Sequence, residues 1–147
     1  MTAITKISDL GSQICVDDED EHLVSALGNN AALPGDMCGI DANNGRVTGT
    51  QDGTDEEFVG ILKEDKITGT EAVIGDGVPC SLIVPKSGHR YRIRCLNTVD
   101  TQEAGHGLGF SATPYKMDTI GDAELAVARL SISSAVNDTA VEVIWGK

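Results

Sequence analysis

Aromatic residues are scarce in this chain of 147: one Trp, two Tyr and two Phe (Phe58, Tyr91, Phe110, Tyr115 and Trp145). A core drawing on a 40% hydrophobic content must therefore be built from Val, Ile, Leu and Ala. Positive charge is also scarce. Eleven Lys and Arg against 23 Asp and Glu leave a formal net charge of −12. Nucleic-acid affinity comes largely from cationic side chains displacing condensed counterions, so direct nucleic-acid binding is not expected. The same charge disfavours anionic membranes, and no apolar run approaches the roughly 20 residues needed to span a bilayer. The opening MTAITKISDLGSQ lacks the charged start and apolar stretch of a secretory signal, so synthesis in a cytoplasm is expected.

Motifs for chemistry are absent as well. Cys15, Cys38, Cys80 and Cys95 are spaced by 23, 42 and 15, with no C-x-x-C pair. Three disulfide pairings are formally open, of which Cys80 with Cys95 is the first to test. Free, buried thiols are the expectation, since Cys within a strand behaves as a small hydrophobe. His22, His89 and His106 lie in separate segments without metal-ligand spacing. Gly105-His106-Gly107-Leu108-Gly109 fails the G-x-G-x-x-G spacing of a dinucleotide loop. Asp41, Asn43 and Gly45 lack the closing acidic residue of a calcium loop and read as a hairpin turn. No nucleophile elbow occurs. The expectation is a protein that is not an enzyme and that holds no metal or cofactor.

What the chain does carry is turn chemistry. Pro34-Gly35-Asp36, Asn43-Asn44-Gly45, Asp52-Gly53, Gly75-Asp76-Gly77 and Ser87-Gly88 punctuate it from Leu33 onward. These residues supply the positive φ and preset turns that hairpins need. Between them, residues 58–63, 78–84, 90–96 and 140–145 are rich in β-branched or aromatic residues or alternate with period two, and predict strands. Pro79 restricts its strand to an edge position or places it at a strand start. Residues 123–132 are ambiguous between helix and strand, and a single short helix is expected there. Residues 102–114 have too many glycines for regular structure and read as a surface loop. The fold class is thus mainly β, a small β-barrel-like or β-sandwich domain with one short helix and an extended N-terminal arm. Residues 1–32, with the acidic run Asp17-Asp18-Glu19-Asp20-Glu21, form the arm and an acidic loop; residues 33–147 form the β-rich domain. The acidic run reads as a solvated loop, or else as a docking contact for a basic partner.

Alternation over 90–95 places Tyr91, Ile93 and Cys95 on one face and Arg90, Arg92 and Arg94 on the other. In so acidic a chain, that stripe calls for carboxylates, either its own or those of another subunit at an intersubunit contact.

Leu33-Pro34-Gly35-Asp36, then DANNGRV at 41–47, the Asp52-Gly53 turn and Phe58-Val59-Gly60-Ile61-Leu62 occur in an order that resembles the head decoration, or cement, proteins of tailed phages, including the lambda type. Ala126 to Leu130 followed by Val141-Glu142-Val143 resembles the closing part of related capsid-associated proteins. The resemblance covers about half the chain. It implies a small β-barrel-like domain, often trimeric, on the outer surface of the expanded capsid, with the major capsid protein as partner and the virion as location. It also implies an N-terminal arm that pairs with the capsid, which here falls to residues 2–10, with Thr2, Ile4, Ile7 and Leu10 as contacts. The chain departs from the lambda type in its greater length, its acidic run and its 97–122 loop. Other readings are a tail, spike or head-completion component, or a small cellular β-domain enzyme or binding module built around the cysteines and histidines.

Overall fold

The computed structural model describes residues 3–17, 21–49, 58–96, 102–111, 113–119, 126–134 and 137–146. Ten strands form two five-stranded antiparallel sheets. The first contains β1 (His22–Leu27), β2 (Met37–Ile40), β3 (Val47–Gly49), β4 (Gly60–Leu62) and β5 (Pro79–Val84), in the order β1-β5-β4-β2-β3. The second contains β6 (Arg90–Arg94), β7 (Gly107–Phe110), β8 (Met117–Thr119), β9 (Ala128–Leu130) and β10 (Ala140–Trp145), in the order β6-β10-β9-β7-β8. Both sheets curl. In the first, the edges meet where Leu27 bridges Arg46 and the Leu27 N–H donates to Gly45 O at 3.0 Å. In the second, Cys95, just past β6, bridges Met117 of β8, and the Leu96 N–H donates to Met117 O at 2.9 Å. The result is a mainly β, half-barrel or sandwich-like fold.

The four strand stretches expected from β-branched and aromatic content are β4, β5, β6 and β10, with Pro79 as the first residue of β5. The expected helix is corrected. Ala128 and Leu130 are buried and Arg129 is exposed, the alternation of a strand, and β9 lies between β10 and β7. Tertiary pairing overrides the helix preference of Ala and Leu; residues 123–125 lie outside the described residues. The one described helical element is a 3₁₀ turn at Ile7–Asp9. The expected loop at 102–114 is corrected in its centre by β7, where Leu108 and Phe110 bury their side chains and the intervening Gly109 pairs with Asp118. Burial of two large side chains outweighs the poor strand propensity of glycine.

Two cores follow from the curl. Inside the first sheet lie Ala26, Cys38, Val47, Leu62, Ile74 and Leu82. Its other face sends Met37, Ile61 and Ile83 into a larger core with Tyr91, Ile93, Leu108, Met117, Leu130, Val141 and Val143 of the second sheet. The first sheet is thus covered on both faces, which is why β4 reads Gly-Ile-Leu without a polar residue. Few as they are, the aromatics are grouped. Phe58 stacks on Trp145 at 5.5 Å between centroids and meets Phe110 at 5.0 Å, while Tyr91 meets Trp145 edge-on at 6.5 Å.

Much of the first 32 residues is built into this body. β1 pairs with β5 from His22 to Leu27. Cys15 bridges Tyr91, with the Val16 N–H donating to Arg90 O at 3.0 Å and the Arg92 N–H to Ile14 O at 2.8 Å. Residues 14–16 therefore cover the outer edge of β6, a device that protects a sheet edge from unwanted pairing.

Candidate functional site

The Pro34-Gly35-Asp36 turn joins the two sheets. The Asp36 N–H closes it onto Leu33 O at 2.9 Å, and Asp36 Oδ2 accepts from the Leu33 N–H at 2.8 Å. Toward the first sheet, the Gly35 N–H donates to Leu62 O and the Leu62 N–H to Asp36 O. Toward the second, the Arg94 N–H donates to Gly35 O and Arg94 Nε to Pro34 O at 2.9 Å. Gly35 has φ +94°, a conformation that favours glycine, and a Cβ there would fall 2.4 Å from Ile7 Cδ1, so the buried Ile7 side chain would have to shift. Asp36 is 1% exposed and ion-paired with Lys116 Nζ at 2.6 Å. Burial pushes its carboxyl above the ordinary aspartate range, while Lys116 and the Leu33 N–H pull it back.

The arginine stripe finds its carboxylates within the chain. Arg90 pairs with Asp17 at 3.0 Å, Arg92 Nε lies 3.8 Å from Glu142, and Arg94 pairs with Glu71 at 3.3 Å. Arg92 Nη1 also donates to Gln13 O at 2.8 Å, its guanidinium lying against Gly11. Arg94 is buried and donates in addition to Thr70 O. Hydrogen bonds from the Arg90 side chain and backbone N–H hold the Asp17 carboxyl below its ordinary range. For Glu71, burial pushes upward, but the Thr70 hydroxyl, Arg94 and the Ser8 N–H together outweigh it and the net shift is downward. Arg92 Nε is buried without a hydrogen-bond partner.

The N-terminal contact residues are also committed inward. Ile7 is fully buried, Ile4 and Leu10 pack against the same core, and the Ile4 N–H donates to Asp138 Oδ1 at 2.7 Å. Thr2 and residues 18–20 lie outside the described residues, as does the Asp52-Gly53 turn. Asp41, Asn43 and Gly45 form the β2–β3 hairpin turn: the Asn43 N–H donates to Asp41 Oδ1, and Gly45 has φ +73°.

All four cysteines are free thiols, and Cys80 and Cys95 belong to different sheets. Burial pushes Cys15 up to about 11 and Cys95 up to about 12, with nearby carboxylates adding to the rise; Cys38 and Cys80 are raised chiefly by burial. At neutral pH these thiols stay protonated, which removes nucleophilic character.

Apart from Ile132, which follows β9, the exposed large apolar side chains among the described residues lie on or beside the first sheet. Between β4 and β5, the Asp65 N–H donates to Gly69 O and the Gly69 N–H to Asp65 O, while Asp65 Oδ1 accepts from the N–H groups of Ile67 and Thr68. This side-chain-braced turn presents Ile67, 94% exposed, at its tip. Beside it is an open recess of about 650 Å³ lined by Leu23, Lys63, Glu64, Ile74, Pro79 and Cys80 among others. Leu23, Val73 and Val78 are further exposed apolar side chains in or next to its lining. Lys63 forms an ion pair with Glu21 at its rim, which raises the lysine. Sequence reasoning missed Ile67. The Asp65-to-Gly69 spacing is a turn signal that would have marked its position, though not its exposure. Neither the protein-family models nor the curated proteins contain a match to this chain.

Proposed function

We propose that this chain is a noncatalytic structural protein of a tailed-virus head, bound to the outer surface of the expanded capsid and bridging neighbouring major capsid protein subunits. The observation that carries the reading is the ordered set of motifs at 33–36, 41–47 and 58–62. In the fold these are not scattered turns: the β2–β3 hairpin and β4 are neighbours in one sheet, and the 33–36 joint leads directly into β2. Asp36, Arg94, Lys116, Glu71, Glu142 and Asp17 are engaged in internal ion pairs, which is compatible with a structural role.

A clamp of this kind works by linkage. Binding the assembled lattice and not its dissociated subunits favours the lattice by mass action, and no bond is made or broken. With Ile7 in the core and Ile4 and Leu10 partly buried against it, the attachment surface we assign is the Ile67 turn and its recess. An apolar side chain on a preorganised turn loses little conformational entropy on docking and can fill a pocket between subunits.

The test is co-sedimentation of the purified chain with undecorated expanded heads of the source virus, for wild type and Ile67→Asp. Saturable binding by wild type that Ile67→Asp weakens at least about tenfold, as expected for an apolar anchor replaced by a charge, supports the reading. No binding by wild type overturns it. Equal binding by the variant overturns the assigned surface.

A further inference from the structure

Among the described residues, β1 meets the opposite edge of its sheet only at Leu27, and its outer edge is open from His22 to Ala26. Leu27 directs its N–H away from β5, toward Gly45 O. Ser81, which faces Ser25 across the β1–β5 pair, gives its carbonyl to the Lys63 N–H on the opposite side. Alternate residues of an antiparallel strand point their main-chain groups the same way, so Leu23 and Ser25 also direct N–H and C=O outward. Neither group has a partner within the described residues, and both residues are exposed. Proteins blunt such an edge with Lys, Pro, a bulge or a covering segment. Residues 14–16 cover β6 in this way, but His-Leu-Val-Ser-Ala-Leu has no Lys or Pro, and no segment among the described residues covers its outer edge.

We propose that β1 is a self-association site, pairing antiparallel with β1 of a second copy about a two-fold axis through Val24. The occupant follows from the register. A two-fold at Val24 sets Leu23 of each copy opposite Ser25 of the other, so the four outward N–H and C=O groups of each copy satisfy one another. Centring the axis on Leu23 would instead require Glu21, and centring it on Ser25 would require Leu27, whose N–H is already bonded. The same register sets Val24 against Val24 as a close, non-hydrogen-bonded pair and His22 against Ala26, so no like charges face each other. Of the acidic run before the strand, Glu21 is paired with Lys63 and Asp17 with Arg90, while Asp18, Glu19 and Asp20 lie outside the described residues. The contact is isologous and closes at two copies. It differs from the threefold contact implied by the resemblance to phage decoration proteins, and on a lattice it would tie neighbouring sites together across two-folds. It does not depend on the capsid reading.

Sedimentation equilibrium of the full chain tests it, at low and moderate salt. A dimer is expected, tightened by salt because each copy carries −12. Ser25→Pro removes an outward N–H and leaves the β1–β5 ladder intact; losing two of the four intermolecular hydrogen bonds weakens the dimer roughly thirtyfold. Ser25→Thr leaves it unchanged. Val24→Cys, mildly oxidised, forms a covalent dimer that wild type does not form, which reads the contact even if the proline variant folds poorly. A monomeric wild type at every salt, a dimer indifferent to Ser25→Pro, or cross-linking through Leu23→Cys in place of Val24→Cys would each overturn the proposal.

Discussion

Replacing Lys116 with Met strands the Asp36 carboxylate. Asp36 is 1% exposed and, among the described residues, keeps the Leu33 N–H as its one direct hydrogen-bond donor once Lys116 Nζ, at 2.6 Å, is gone. Breaking a buried ion pair by removing one partner costs about 3–5 kcal/mol. The Lys116 side chain is 26% exposed, so water screens part of the pair, and about 2–3 kcal/mol is the expected loss at neutral pH. The pH dependence fixes the mechanism. Burial already raises Asp36 in the folded state above its unfolded value of 3.8, and removing the lysine raises it further. A carboxyl raised on folding binds its proton more tightly in the native state, so the penalty is absent below the unfolded value, grows as pH rises toward the folded value, and is constant above it. Urea denaturation of wild type and Lys116→Met at about pH 4 and about pH 7 should therefore show a gap that narrows markedly in acid. The double variant Asp36→Asn with Lys116→Met should recover part of the loss. A gap of the same size at both pH values, or no recovery in the double variant, would refute the argument.

Three further outcomes follow from the geometry. Gly35→Ala should destabilise by about 3 kcal/mol in denaturant melts, since it combines a positive φ with a Cβ 2.4 Å from Ile7 Cδ1. Ile7→Ala should cost about 2–5 kcal/mol because Ile7 is fully buried, whereas Ile67→Ala should stay within about 0.5 kcal/mol; equal effects would contradict the placement of the N-terminal segment in the core. Titration with a thiol reagent should label half-buried Cys80 first and reach Cys15, Cys38 and Cys95 only on unfolding.

The sequence was most legible where local chemistry and tertiary structure agree. β4, β5, β6 and β10 carry β-branched or aromatic runs, and the hairpin at Asp41 to Gly45 is fixed by its own Asn and Gly residues. It was least legible where burial overrides propensity. β7 hides behind Gly107 and Gly109, and β9 behind Ala128 and Leu130, because only their pairing with each other and with β8 and β10 selects a strand. β1 follows an acidic run and reads as part of an arm until β5 is seen beside it. The arginine stripe was visible as alternation, but its partners Asp17, Glu71 and Glu142 come from three distant segments that no spacing rule connects. The exposure of Ile67 is likewise a property of the folded surface. An isoleucine in a short polar segment carries no local mark of being presented rather than buried.

The most direct measurement of the central claim is the copy number of this chain on purified virions of its source, by quantitative mass spectrometry against the major capsid protein. A protein that clamps the lattice must be present in a fixed ratio to the capsid subunits across the head. A handful of copies per particle, or none, would contradict the account.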